Sequence, residues 1–123
     1  MGSKGRPYRT VEVEGFDVLV GRGDAENDAL TFEVADAEDF WLHVGGGVAG
    51  SHVVVRNPTG LEALPAPVLE RAAALAAWYS KARAARRVEV HVCRVRDVTK
   101  ERGMPPGTVA LRRWKRVRVS PRP

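Results

Sequence analysis

Residues 39–56 read DFWLHVGGGVAGSHVVVR and predict two strands separated by a glycine-rich connection. The first strand, Phe40–Val44, is mostly apolar. The second, Val53–Val55, is an unbroken apolar triplet, which is typical of a strand covered on both faces. Residues 45–47 are all glycine, and because no Gly-Lys-Ser/Thr sequence follows them, they do not make a nucleotide-phosphate loop. This stretch therefore predicts a sheet with a buried centre.

Upstream of these strands the chain carries the pattern of a β-hairpin. Apolar residues alternate with polar ones on both sides of Glu14 and Gly15, which predicts a hairpin with its turn at the glycine. The alternating residues are Val11, Val13, Phe16, Val18 and Val20. The pattern leaves residues 28–35 open, because Leu30 and Val34 fit one face of a helix while Leu30, Phe32 and Val34 also alternate as in a strand. We expect residues 1–10 to form a flexible tail and residues 11–121 to form the domain.

Downstream of the central strands, the sequence predicts one long helix over about residues 66–85. Pro67 suits its first turn, and an apolar stripe at helical spacing follows. The stripe consists of Val68, Ala72, Leu75, Tyr79 and Ala82. The alternation of Val88, Val90 and Val92 predicts another strand, and residues 109–119 predict the last one. The fold class is therefore α+β, a single compact domain with a mostly antiparallel or mixed sheet and a long helix packed on it.

The charge of the chain is strongly polarised. The 123 residues carry a net charge of +5, yet residues 1–80 hold 6 basic and 12 acidic residues, while residues 81–123 hold 14 basic and 3 acidic ones. A basic block of this kind attracts polyanions, of which nucleic acid is the commonest. Cys93 is the sole cysteine and no apolar run approaches the ~20 residues that span a bilayer, so we expect a cytoplasmic protein without a membrane partner.

The last predicted strand combines arginine with tryptophan. Arg112, Trp114 and Arg116 share one face if pairing is regular, with Arg113 and Lys115 between them. Such a face offers phosphate contacts together with a stacking surface, as single-stranded RNA requires. The alternative for Trp114 is that its indole packs into the core, which we favour slightly for this side chain.

A second candidate lies at Gly50-Ser51-His52, with His43 at the end of the neighbouring strand. Glycine lets the backbone approach a ligand closely, and the serine and histidine offer hydrogen bonds. Adjacent strand residues point to opposite faces, so a Ser-His catalytic relay of the usual geometry is not expected. The spacing of His43, His52 and His91 does not predict a metal site. We therefore expect no cofactor, no metal and no enzymatic activity.

Four segments together resemble the NFACT-R domain, the C-terminal RNA-binding module of the ribosome-quality-control tailing factors. They are Gly21-Arg22 with residues 26–31, residues 39–43, residues 50–56, and residues 72–83. The resemblance implies that residues 28–35 are helical and that the partner is tRNA or ribosomal RNA, on the large ribosomal subunit. The family usually has a Lys-Asp-like pair where this chain has glycines at 45–47, which implies that one basic contact is missing.

Sixteen residues are predicted to contact RNA, from the resemblance and from the basic pattern together. They are Arg22, Asn27, His43, Ser51, His52, Arg56, Lys81, Arg83, Arg86, Arg87, Lys100, Arg112, Arg113, Trp114, Lys115 and Arg116. Two other functions stay open. One is a small RNA-processing or RNA-modifying enzyme that uses His43 or His52 as acid or base. The other is a protein-interaction module whose basic face meets an acidic partner.

Overall fold

The computed structural model describes residues 6–123, which form one antiparallel sheet of six strands, a two-stranded ribbon and two helices. In chain order the elements are β1 (Tyr8–Val13), β2 (Phe16–Gly21), α1 (Asp24–Ala29) continued by a π-helical turn (Leu30–Val34), β3 (Phe40–Val44), β4 (Val53–Val55), α2 (Ala66–Trp78), β5 (Val88–Arg94), a 3₁₀ turn (Val95–Asp97), β6 (Val98–Thr99), β7 (Ala110–Leu111) and β8 (Lys115–Val119). The large sheet has the order β1-β2-β4-β3-β5-β8, and β6 pairs with β7 in the ribbon. The predicted α+β fold class is confirmed.

The hairpin predicted at Glu14 and Gly15 is present. Val13 pairs with Phe16, which leaves a two-residue loop, and both loop residues have positive φ, 52° at Glu14 and 86° at Gly15. Positive φ at both positions matches the twist of the two strands, and glycine adopts it without a steric cost. β1 begins at Tyr8, so residues 8–10 lie in a strand rather than in the expected tail, while residues 1–5 of that tail lie outside the described residues.

The main core lies between α2 and one face of the sheet. Val18, Leu42, Val53 and Val90 present this face from four adjacent strands, and all four are fully buried. The facing residues of α2 are mainly alanines, with Val68 and Leu75 as the larger members. Because alanine is small, the helix lies close to the sheet and excludes water from a continuous apolar layer.

The opposite face of the sheet is only half covered. The π-helical turn and the β6–β7 ribbon bury Leu19, Trp41 and Val54 in a second core. On the same face, the strands β5 and β8 carry His91 and Arg116 directly opposite each other, beyond the residues of that core. This half of the sheet stays open and becomes a candidate surface.

Both helices differ in extent from the prediction. α2 ends at Trp78 rather than near residue 85, because the backbone after it pairs with a loop: the amide of Ser51 donates to the carbonyl of Tyr79, and the amide of Lys81 donates to the carbonyl of Ala49, each over 2.9 Å. The shorter helix begins at Asp24 rather than at residue 28 and continues as the π-helical turn to Val34.

The expected last strand, residues 109–119, is divided in two. Residues 110–111 form β7 and pair with β6, whereas residues 115–119 form β8 and pair with β5. Residues 112–114 therefore connect the ribbon to the large sheet. Their side chains do not alternate between two faces as they would in a continuous strand. Within residues 6–123, no helix is long and apolar enough to cross a membrane.

Candidate functional site

Three segments that are distant in the sequence meet at one end of the large sheet. Gly50 forms an isolated antiparallel bridge with Ser80, and the hydroxyl of Ser51 donates to the carbonyl of Gly21 over 2.8 Å. Between them lies an open cleft of about 370 Å³, called the Gly50 cleft below. It is lined by Arg9, residues 21–24, Asn27, residues 49–51, residues 78–81 and Arg83.

Glycine is required at position 50 by this close approach. A Cβ atom there would lie 2.7 Å from the Cβ of Ser80 and 3.1 Å from its Cα, closer than side-chain atoms can pack. The bridge therefore exists because residue 50 has no side chain. This is the physical basis for the glycine in the Gly50-Ser51-His52 sequence that was identified as a candidate.

The side chain of Asn27 fixes the backbone on either side of Ser51. Its side chain is 2 % exposed, its Oδ1 accepts from the amide of His52 over 3.0 Å, and its Nδ2 donates to the carbonyl of Gly50 over 3.4 Å. Both ends of the amide are thus used within the protein. Asn27, predicted as an RNA contact, lines the cleft, and its amide positions the backbone of Gly50 and His52.

Cationic and aromatic side chains alternate around the cleft. The guanidinium of Arg9 lies 4.7 Å from the ring centroid of Tyr79, and that of Arg83 lies 4.4 Å from the ring centroid of Trp78. Lys81 adds a third cation to the same lining. Such an arrangement can bind an anion and place a flat ring beside it.

The cleft also holds an unsatisfied donor. Among the described residues, the Nε of Arg9 is the buried side-chain polar atom that has no hydrogen-bond partner. Buried polar atoms nearly always find partners, so this donor is an exception, and because it is buried a ligand meets other atoms of Arg9. Sequence reasoning missed Arg9, Trp78 and Tyr79. The aromatic pair directly before Ser80-Lys81 is a signal from which Trp78 and Tyr79 could have been identified.

His52 lies beneath the cleft and is 1 % exposed. Its Nε2 lies 3.1 Å from the carbonyl of Gly107, which can only accept, so Nε2 carries the proton. Its Nδ1 lies 2.9 Å from the Oγ1 of Thr31, which therefore donates to it, and Thr31 in turn accepts from the indole Nε1 of Trp41 over 3.2 Å. Both ring nitrogens of His52 are thus occupied, and its side chain is not available to a ligand in this conformation.

His43 is half-buried beside this cluster. Its ring lies 5.5 Å from that of His52 and 5.8 Å from that of Trp41, centroid to centroid. Burial lowers the pKa of His43, although the carbonyl groups of Gly50 and Val44 act in the opposite direction. The ring of His43 therefore lies beside the backbone of Gly50, as expected from the place of His43 at the end of β3.

We expect the stability of the domain to fall in mild acid through His52. Burial, followed by the charge of nearby His43, lowers the pKa of His52 from 6.5 to about 4. The unfolded chain consequently takes up a proton before the folded one does, so stability is constant above about pH 6.5 and is lost as the pH falls towards 4. The loss attributable to His52 is on the order of 3 kcal/mol. Urea denaturation at several pH values measures it.

The control for this expectation is His52→Gln, which cannot titrate. The variant will be less stable at neutral pH, but its stability will change less between pH 6.5 and 4.5 than that of the parent chain. Equal pH slopes for the two proteins would contradict the assignment to His52.

Three of the predicted contact residues pair with carboxylates of the protein, although the side chain of Arg112 remains exposed. Arg56 donates to the carbonyl of Val34 over 3.1 Å and pairs with the buried Asp39 at 3.2 Å. Lys100 pairs with Asp28 at 3.0 Å, and Arg112 lies 3.4 Å from Asp97. These cations neutralise carboxylates of the protein, and Arg56 and Lys100 are also bound by backbone carbonyls.

The remaining predicted cations lie away from the cleft. Arg86 and Arg87 follow the end of α2, where Arg87 donates to the carbonyl of Arg118. Arg113, Lys115 and Arg116 lie at or beside β8, the edge of the sheet opposite β1. The structure thus brings Arg22, Ser51, Lys81 and Arg83 together at the cleft. It places Arg113, Lys115 and Arg116 at the edge of the sheet formed by β8.

Trp114 lies outside both cores. Its side chain is 41 % exposed and its indole stacks on the imidazole of His91, with 4.0 Å between ring centroids and 26° between the planes. The slight preference for core packing at this residue is therefore wrong. The reason is that residues 112–114 connect two sheets, so Trp114 precedes the regular alternation of β8.

Comparison with known proteins agrees with this arrangement. The sequence profile described as the NFACT protein RNA binding domain matches residues 6–113. The protein called Rqc2 homolog RqcH from Bacillus subtilis (strain 168) is 34 % identical over 123 residues, covering 96 % of this chain and 21 % of its own length. The protein of the same name from Streptococcus suis (strain 05ZYH33) is 35 % identical over 118 residues, covering 94 % of this chain and 20 % of its own length.

A solved structure shares both the fold and the sequence pattern. It is the C-terminal part of the fibronectin/fibrinogen-binding protein from Streptococcus suis, with a TM-score of 0.84 and 36 % identity, covering 95 % of this chain and 46 % of that one. The chain spans about a fifth of the length of the curated relatives that it matches.

Proposed function

Because this chain belongs to the family of the NFACT protein RNA binding domain, we propose that it binds RNA through the Gly50 cleft. Lys81, Arg83 and Arg9 contact phosphates, and the rings of Trp78 and Tyr79 lie beside the sugar or base. Arg22 and Ser51, which line the same cleft, extend the contact. Phosphate contacts of this kind fix the position of the RNA without reading its sequence.

One observation supports the proposal above the others. The Gly50–Ser80 bridge brings together cations from β1, from the segment after β2 and from the segment after α2, so a concave basic site is built by the fold itself. Arg9 lies in this lining, and its guanidinium is a group suited to a phosphate oxygen. Asp24 is the carboxylate in the lining, so cations outnumber anions there.

We further propose that the RNA is tRNA or ribosomal RNA and that the domain acts in ribosome quality control in the cytoplasm. Supporting this are the relatives called Rqc2 homolog RqcH, at 34 % and 35 % identity. The chain matches about a fifth of each relative, so the proposal concerns RNA binding and not the whole activity of those proteins.

The proposed contact predicts an affinity that depends on salt and on two cleft cations. The double variant Lys81→Gln/Arg83→Gln should bind tRNA or an rRNA fragment about ten-fold more weakly near physiological salt, because each lost cation removes a phosphate contact. The slope of log K against log[salt] should flatten by about 1.4, or 0.7 for each phosphate on a single strand. Fluorescence anisotropy across a salt series measures both quantities.

The matched control removes the same charge elsewhere. Arg71 and Arg122 lie on another part of the surface, where Arg71 donates to the carbonyl of Arg122. We expect Arg71→Gln/Arg122→Gln to change the affinity less than three-fold. An affinity for RNA that stays flat as salt rises, or equal losses in the two double variants, would contradict the proposal.

A further inference from the structure

We infer that the open half of the sheet carries a second RNA contact, in which an unpaired base stacks on Trp114 and makes the domain prefer single-stranded RNA to duplex. This inference rests on the proposed RNA binding and adds the class of RNA and a contact residue to it. The site is the groove at the start of β8, called the Trp114 groove below, and it is separate from the Gly50 cleft.

The indole of Trp114 is already positioned for stacking. One side of it is stacked on the imidazole of His91, and the guanidinium of Arg116 lies 5.6 Å from its ring centroid. His91 is itself held, since its Nε2 lies 2.8 Å from a carboxylate oxygen of Glu89. The hydrogen bond from His91 also lowers the pKa of Glu89, which keeps that partner ionised. A large ring that is both exposed and fixed loses little conformational freedom on binding.

Trp114 also lines a groove of about 410 Å³ that is partly apolar. Phe40, Leu64 and Leu69 contribute apolar surface to the lining from the α2 side of the sheet, so the groove follows the β8 edge from the open face towards α2. Its volume lies at the lower end of the range for small-ligand sites, which suits one nucleotide better than a large ligand.

The charge of the groove lining favours a nucleotide as the ligand. The lining holds the cations Arg94, Arg113, Lys115 and Arg116 and the carboxylates Glu62 and Asp97, and Asp97 pairs with Arg112, so positive charge predominates. A nucleotide combines a flat apolar base with an anionic phosphate, so it matches an apolar floor with a cationic rim. A base inside a duplex is stacked on its neighbours and cannot enter, so the contact discriminates against paired RNA.

The two RNA sites lie at opposite ends of the sheet. The Gly50 cleft follows the end of β3 and precedes β4, whereas the Trp114 groove includes Phe40, the first residue of β3. Register places His43 opposite His91 and His91 opposite Arg116, so one row of side chains on the open face leads from β3 across β5 to β8. His43, His91 and Arg116 are direct neighbours in that row. A single strand that occupies both sites would cross this row.

The experiment compares Trp114→Ala and Trp114→Phe with the parent chain, using a twelve-nucleotide single-stranded RNA that carries one 2-aminopurine, and the same sequence as a blunt duplex. Loss of a stacked base should weaken binding of the single strand about ten-fold in Trp114→Ala and less than three-fold in Trp114→Phe, which keeps a ring. Duplex binding should change less than two-fold in both. Quenching of 2-aminopurine should appear with the parent chain and disappear with Trp114→Ala.

Trp114 lies outside both cores, so the variants should fold, and equal midpoints of thermal unfolding verify this. Single-strand affinity unchanged in Trp114→Ala, together with the loss seen in Lys81→Gln/Arg83→Gln, would overturn the Trp114 contact while leaving the proposed function intact. Salt-independent RNA binding by the parent chain would overturn both. Displacement of the single strand by an acidic peptide, with no 2-aminopurine quenching, would also overturn the inference and favour a protein partner.

Discussion

Replacing Arg56 by methionine should lower the free energy of unfolding by about 3 kcal/mol while leaving the affinity of the folded domain for RNA within about two-fold. Arg56 faces Asp39, whose carboxylate is 2 % exposed, with 3.2 Å between Nε and Oδ2. Removing one partner of a buried ion pair costs about 3–5 kcal/mol, because the other charge is left without compensation. We expect the lower end, since the amide groups of Asn57 and Asp36 still donate to Asp39. Urea denaturation and RNA titration of the same preparation measure the two effects.

The control is Arg96→Met, which removes an arginine from an exposed ion pair. Arg96 pairs with Glu38, and both side chains are 51 % exposed. Exposed pairs contribute about 0–1 kcal/mol, so this variant should lose less than about 1 kcal/mol. An Arg56→Met protein that keeps its stability but loses RNA affinity would return Arg56 to the RNA-contacting residues.

The substitution Gly21→Ala should be comparably harmful, lowering the free energy of unfolding by about 2–5 kcal/mol. The new Cβ would lie far inside contact distance of the Oδ1 of Asn27 and 3.1 Å from its Cγ. Overpacking of this kind costs about 1–3 kcal/mol. Displacement of Asn27 would also leave the buried amide of His52 without its acceptor, at a further cost of about 1–3 kcal/mol. Because Asn27 also binds the carbonyl of Gly50, RNA affinity should fall as well.

Gly23→Ala is the matched control, two residues along the same segment. A Cβ at residue 23 would meet only the end of the Glu26 side chain, which can rotate away, and its φ of 174° is extended backbone that alanine adopts. This variant should lose less than about 1 kcal/mol, mainly because alanine is a poorer N-cap than glycine. Equal losses in the two variants would show that the Asn27 contact is not the cause.

Features encoded by neighbouring residues were predictable from the sequence. The turn at Glu14 and Gly15 needed only its glycine and the alternation around it, and the strands Phe40–Val44 and Val53–Val55 appear as expected. Helix length was less predictable. The alanines and arginines after Trp78 favour a helix, yet α2 stops there because the backbone of Tyr79 and Lys81 pairs with residues 49–51. A tertiary hydrogen bond thus overrides local propensity.

The candidate site shows the same division. Lys81, Arg83, Ser51 and Arg22 were among the sixteen residues predicted from the sequence to contact RNA, and the fold brings these four into one cleft. It could not foresee the burial of His52, because the residues that cover it, Thr31 and Gly107, are 21 and 55 positions away. Nor could it separate the cations that neutralise internal carboxylates from those that remain for a ligand, since that difference depends on which acidic residues fold against them.

No short segment of the chain contains the Gly50 cleft, whose lining runs from Arg9 to Arg83. Its hydrogen bonds join residues 23 to 30 positions apart, and the bridge to Ser80 closes it from a third segment. Contacts between such distant residues form late in folding, because a long loop must be closed first. A chain emerging during its own synthesis can therefore complete the Gly50 cleft only once residues up to about 83 have been made. A copy in which Ser80 has not yet met Gly50 lacks this cleft and cannot compete for the same RNA.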